Sequence, residues 1–206
     1  MRTEITSDAE LRAVMGAPLQ RALDKDRQVL TTEHRAWLAA SPFCLVATSD
    51  ASGACDVSPK GDPAGFVHVV DDTTLAIPER PGNRRADGFA NILQNPHVGL
   101  IFVVPGRGDT LRVNGRATLL SDAPYADRLV VEGHRPVVIL EVAVEQVFFH
   151  CAKAFLRSGL WDPAGWNPEA VMSRARIAQS LERPDDSLEE LERYYGAQYE
   201  QGLYRG

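Results

Sequence analysis

Arg80, Arg84 and Arg85 fall within six residues of the stretch Leu75–Gly115, LAIPERPGNRRADGFANILQNPHVGLIFVVPGRGDTLRVNG. Guanidinium groups bind phosphate through planar, often bidentate, charge-assisted hydrogen bonds. The pattern reads as strand, arginine-rich turn, short helix and strand. The unpaired N–H groups at the start of that helix would add to an anion site. The chemistry indicated is the holding of a phosphate group, in a chain whose net charge is −6. The competing reading is a solvated loop whose arginines pair with Glu79 and Asp87, an arrangement of little energetic consequence when exposed.

Other chemistries are poorly served. There is no G-x-x-x-x-G-K-[ST]. Gly106-Arg107-Gly108 opens like a dinucleotide fingerprint, but Leu111 stands where the third glycine belongs, and the segment joins strand to strand. No G-x-S-x-G elbow and no H-E-x-x-H occurs. His150 and Cys151 are sequence neighbours, so in a strand they would point to opposite faces and could not form a dyad. Asp71-Asp72 sits at an expected turn, where aspartate is favoured for bonding its own backbone. Cys44, Cys55 and Cys151 are widely spaced and odd in number, which fits reduced thiols in or near a core rather than a disulfide framework or a zinc site.

The elements that must position the arginine turn follow from periodicity. Ser7 with Glu10 predicts a capped helix carrying Leu11, Val14 and Met15 up to Gly16. Pro18–Leu30 reads as a second helix, and a third starts near Thr32 and ends at Ser41-Pro42. From Phe43 the period changes to that of strands. Phe43–Thr48 and Ala54–Ser58 form one expected hairpin, and Phe66–Val70 with Thr74–Ile77 another. A helix from about Ala86 to Gln94 stops before Asn95-Pro96. Strands follow at Val98–Val104, Thr110–Leu120 and Val137–Phe149, with a short helix near Pro124–Glu132. The last strand is long enough that it must bend or change neighbours. His150–Trp161 is helical or looped, and Met172–Leu181 and Ser187–Tyr195 read as terminal helices. Closely spaced strands with hairpin turns predict an antiparallel barrel or sandwich; the alternation of a doubly wound sheet is missing.

With 206 residues, 44% hydrophobic and 24% charged, the chain has an ordinary globular balance and room for one sizeable core. The acidic balance argues against a nucleic-acid-coating protein. MRTEITSDAE lacks an apolar signal core, and no run reaches the roughly 18 apolar residues of a spanning helix, so a cytoplasmic protein without membrane association is expected.

Linked motifs carry a resemblance. DVSPKGDPAGFVHVVDDTTLAIPERPGNRRADGFANILQNPHVGLIFVVPG, TLRVNGRATL and FFHCAKAFLRSGLW resemble the pyridoxamine 5′-phosphate oxidase-like FMN-binding split barrels. More narrowly, they resemble a bacterial subgroup marked by SP[KR]GD, ERPGNRR-D, NI-x-x-NP, LRVNGRA and HC-x-KA-x-x-RS-x-LW. The resemblance spans about Phe43 to Trp161. It implies a mainly β (α+β) fold, an antiparallel six-stranded split β-barrel with flanking helices. An N-terminal helical segment (1–42) would pack on the barrel (43–161), and a C-terminal helical tail (162–206) would follow. It also implies a homodimer with FMN in clefts at the subunit interface. By position, Ser58 and Lys60 match strand-end residues approaching the flavin and its phosphate. Pro78 and Glu79 match backbone beside the ring, and Asn83, Arg84 and Arg85 the phosphate turn. Thr110, Leu111 and Arg112 match a strand bordering the cofactor. Lys153, Arg157 and Trp161 match a segment reaching across from the partner; Trp161 suits core packing or a dimer contact equally well. Arg80 is expected to point to solvent. Lys60 or Lys153 would supply positive charge near the flavin N1/C2 edge.

The implied activity is flavin-dependent redox chemistry, with hydride transfer at N5 and no side-chain acid or base identified. A non-catalytic flavin-binding or redox-sensing module, or a relative using F420 or haem on the same barrel, are the alternatives. The arginine–histidine pair of pyridoxamine phosphate oxidase is absent from the end of this chain, and Asp56–Lys60 departs from that enzyme's second-strand pattern. Its specific reaction therefore does not transfer with the fold.

Overall fold

The structure, a computed structural model, describes residues 2–196, 199 and 201–204. Seven strands form one antiparallel sheet in the order β2-β1-β5-β6-β7-β4-β3. They are β1 (Phe43–Ser49), β2 (Cys55–Gly61), β3 (His68–Val69), β4 (Thr74–Glu79), β5 (His97–Val103), β6 (Thr110–Leu120) and β7 (Val138–His150). The sheet curls into a split barrel with flanking helices. The two-residue β3 makes the count seven rather than six.

Alternation builds the core. Cys44 and Val46 on β1, Val98, Leu100 and Phe102 on β5, Leu111 and Val113 on β6, and Val142 and Val147 on β7 are all buried. They merge into one apolar cluster, against which Phe89 and Phe149 also pack. Pro59, which has no N–H to give a second neighbour, lies on β2 at the sheet edge, where such a residue is tolerated. The long β7 pairs with β6 throughout and with β4 along its first half. A register shift at Asn114/Gly115 accommodates its bend. Gly115 is obligatory there, since a Cβ would lie 2.1 Å from the Ala143 carbonyl oxygen.

The helices that reach the barrel are α3 (Thr32–Ala40) and α4 (Asp87–Gln94). The first buries Trp37 and Leu38, and Trp37 Nε1 donates to the Phe102 carbonyl at 3.3 Å. At its start the Thr31 N–H donates to His34 Nδ1 at 3.2 Å. Ahead of it, α1 (Asp8–Met15) has the expected Ser7 cap, although Glu10 reaches back to Thr6 rather than Ser7. The predicted Pro18–Leu30 helix shrinks to α2 (Gln20–Leu23). Arg27 instead joins the sheet by a bridge to Val147, and its guanidinium binds the Asp24 and Asp26 carbonyls. Tertiary pairing there outweighs helix propensity. The predicted helix near Pro124–Glu132 is a single 3-10 turn, Ala126–Leu129.

After β7 come α5 (Lys153–Ser158), α6 (Arg174–Leu181) and α7 (Leu188–Tyr194). The last two close on a small core of Ala175, Ala178 and Leu191. No helix among the described residues is long and apolar enough to cross a membrane.

Candidate functional site

One cavity of about 850 Å³ opens between β1, β2, β4 and the start of α4. Its floor is the inner face of β2. Residues two apart on a strand share a face, so Asp56, Ser58 and Lys60 line up, and all three border the cavity half-buried. Ser58 Oγ donates to Asp56 Oδ2 at 2.8 Å. Lys60 Nζ pairs with Glu79 Oε2 at 2.5 Å and lies 5.1 Å from the centre of the Phe89 ring. Cys44, across the strand pair from Lys60, is buried in the core, and burial pushes its thiol up to about 12. It is no nucleophile at neutral pH.

The opposite wall is the arginine turn. Asn83, Arg84 and Arg85 all border the cavity and are exposed. The turn is held in an uncommon backbone shape, with φ of +62° at Arg84 and +54° at Ala86. Left-handed non-glycine residues cost of order 1 kcal/mol each and cluster at ligand sites. Asn83 Oδ1 accepts the Arg85 N–H at 3.1 Å, which fixes the bend. Ala86 then starts α4 with no side-chain cap, so the first N–H groups of the helix lack an internal side-chain partner beside the cavity. Gly88 brings this helix start against the strands. A Cβ there would lie 2.9 Å from Asp56 Oδ2 and 3.4 Å from Thr48 Oγ1.

Charges within the cavity are unequal in freedom. Arg85 pairs with Asp87 at 2.6 Å, as the ion-pair reading expects for that carboxylate, while Glu79 is taken by Lys60 rather than by an arginine. Arg84 has no carboxylate partner among the described residues.

Arg80 does not point to solvent. Its side chain is 11% exposed, and its Nε pairs at 2.7 Å with Asp62, itself 2% exposed. Its other nitrogens donate to the carbonyls of Leu129 at 2.7 Å and His134 at 3.2 Å. Near-burial of a cation is tolerated only with such complete pairing, so Arg80 anchors the turn where it meets the edge of the cavity, which Arg80 also borders.

The remaining residues singled out in the sequence lie elsewhere in the chain. Pro78 is buried in β4, paired with Ile139. Thr110 and Leu111 are buried in β6. Arg112 lies over the Phe148 ring, 5.3 Å from its centre, and bonds Asn114. It shares a row with Ile101, Leu45 and Pro59 on the outer face of the sheet. Lys153 and Arg157 are exposed on α5. Trp161 is half-buried and donates to the Arg107 carbonyl at 2.7 Å. None of these lines the cavity of its own chain. Of the thiols only Cys44 is in the core; Cys55 is exposed on the outer face of β2 and Cys151 just after the end of β7. Sequence reading missed Asp56, Thr48, Gly88 and Phe89. The period-2 line Asp56-Ser58-Lys60 was the available signal for the first.

The family profile described as pyridoxamine 5′-phosphate oxidase matches residues 30–151, more than half of the chain. The chain belongs to that family. No curated protein matches it. Among solved structures, HupZ of Group A Streptococcus is 23% identical over 58% of this chain and 92% of its own, with a TM-score of 0.47. A candidate pyridoxamine 5′-phosphate oxidase from Lactobacillus delbrueckii is 26% identical over 60% and 98%, with a TM-score of 0.47. An FMN-binding protein from Syntrophomonas wolfei is 12% identical over 68% and 97%, with a TM-score of 0.42.

Proposed function

We propose that this protein binds FMN non-covalently in the cavity between β2 and α4 and works as a flavin-dependent oxidoreductase. One observation carries the reading: an arginine without a carboxylate partner among the described residues, a strained turn and an uncapped helix start converge on one cavity within the family's segment. Arg84, Arg85 and the first N–H groups of α4 hold the phosphate, with Asn83 fixing their geometry. Arg85 exchanges Asp87 for the ligand. Ser58 and Lys60 approach from the strand side, and Lys60 keeps positive charge next to the apolar ring of Phe89. Glu79, at the edge of the cavity, contributes backbone beside the ring, with Pro78 packed behind it in β4. Bound flavin supplies hydride exchange at N5; the residues bind, orient and tune it.

The lining of the cavity favours a flavin over haem. No histidine, cysteine, methionine or tyrosine is among the described residues lining it, so it offers no axial ligand of the usual kinds.

The site is read as completed by a second copy. Phe43, Leu45 and Val57 expose 37%, 36% and 58% of their surface on the outer face of the sheet. Arg112 is in the same face, and a two-fold contact there buries this apolar area and sets Arg112 against the second copy; the exposed Lys153–Trp161 segment is read as the part that reaches the partner's cavity. Sedimentation of the holoprotein should give a dimer, and Val57→Glu should shift it towards monomer and weaken FMN binding together.

The decisive measurement is the absorption spectrum of purified protein reconstituted with FMN, followed by anaerobic titration with NADH and NADPH. Bound flavin bleached by either donor supports the oxidoreductase. Tight binding without bleaching leaves a flavin-binding module, and preference for F420 overturns the FMN assignment. The double variant Arg84→Ala/Arg85→Ala should stay folded and lose FMN. Unchanged affinity would overturn the phosphate assignment.

A further inference from the structure

The sequence beyond residue 151 lies outside the family's matched segment, yet it returns to the barrel at the back of the arginine turn. Tyr204 OH donates to Asp62 Oδ1 at 2.9 Å. The other oxygen of that carboxylate holds Arg80. The Arg80 guanidinium also lies 5.6 Å from the centre of the Tyr204 ring, and His134 stacks with that ring at 6.1 Å with 14° between planes. Arg80 just after β4, His134 in the loop before β7 and Tyr204 thus gather about one buried carboxylate, Asp62 of the β2–β3 loop. Three residues, Pro81, Gly82 and Asn83, separate Arg80 from Arg84. Proline restricts the first of them and Asn83 Oδ1 holds the Arg85 N–H at 3.1 Å, which leaves Gly82 as the flexible link between Arg80 and the turn.

We propose that Tyr204 is a positioning residue for the arginine turn, and that residues 201–204 act as a strap whose docking through Tyr204 and the binding of a phosphorylated flavin strengthen each other. The inference rests on the assignment of FMN to the cavity. The coupling is reciprocal by thermodynamic necessity: if strap docking and ligand favour the same placement of Arg80 and its turn, each raises the affinity of the other by the same factor. Tyr204→Phe keeps the ring stack and removes only the hydroxyl. Tyr204→Ala removes both.

The test uses the full chain. FMN dissociation constants are measured by flavin fluorescence for the native protein and both variants, and hydrogen exchange is followed with and without FMN. Tyr204→Phe should weaken FMN binding at least about fivefold, and Tyr204→Ala more. FMN should slow exchange in the C-terminal segment of the native protein and not in Tyr204→Phe. Equal FMN affinity in all three proteins, with a segment indifferent to FMN, overturns the strap while leaving the cavity assignment intact. Exchange rising equally across the barrel strands of Tyr204→Phe would make Tyr204 a merely structural contact and also overturn it. Failure of the native protein to bind FMN overturns the cavity assignment itself, and the coupling with it.

Discussion

Arg80 and Arg84 stand four residues apart in one motif and live in opposite surroundings. Arg80 is largely withdrawn from solvent, with its nitrogens committed to Asp62 and two carbonyls. Arg84 is exposed, borders the cavity and has no carboxylate partner among the described residues. The difference is made by what the fold brings near each one. A carboxylate from the loop after β2 meets Arg80 and converts its charge into an anchor. The left-handed backbone at Arg84 turns the next guanidinium out, leaving its charge available. One residue type therefore serves as scaffold and as candidate ligand group within a single turn.

The largest expected effect strikes the scaffold side. Asp62→Ala leaves the Arg80 guanidinium buried without its partner, and breaking such a pair costs about 3–5 kcal/mol. Urea unfolding should show a loss of that order; a variant as stable as the native protein would break the contrast. On the cavity side, stability should hardly move while affinity does. Arg84→Ala should cost about 1.5–3 kcal/mol of FMN binding, or roughly ten- to a hundredfold in Kd, through the lost charged hydrogen bond. Arg85→Ala should cost less, because Arg85 gives up its Asp87 pair on binding. Isothermal titration of the two single variants checks the order.

A smaller effect separates the barrel's support from its site through pH. Burial holds the His34 imidazole below its ordinary value, and its Nδ1 accepts a backbone N–H that only the neutral ring can take. The folded value is depressed, so the unfolded chain binds the proton first as pH falls. Stability is full above the unfolded value of about 6.5 and declines below it. Burial depresses His68 and His150 in the same direction. His34→Gln should therefore flatten part of the slope of unfolding midpoint against pH between about 7 and 5, and an unchanged slope would remove His34 from this account. The smallest change expected is a gain. Asp56→Asn removes a carboxylate from the cavity floor and should tighten FMN a few-fold, by about 0.5–1 kcal/mol of relieved repulsion in a partly exposed site; weaker binding would mean that Asp56 orients Ser58 for the ligand.

The strands were legible because burial on one face writes itself as alternation. Thr110–Leu120 emerges with the predicted bounds, and Val137–Phe149 is shifted by one residue. The helix before Asn95-Pro96 was legible from its stop signal. The second helix was not, because Arg27 is recruited by Val147, 120 positions away, and local periodicity carries no word of such a partner.

The same division runs through the site. By itself the sequence determined that an acidic chain carries a local knot of guanidinium groups ahead of a helix, since residue type and spacing fix charge and the direction of helix N–H groups. Only the tertiary structure decided which arginine is free, because a cation's role depends on the carboxylate that reaches it, and Asp62 and Tyr204 reach Arg80 from segments 18 and 124 positions removed.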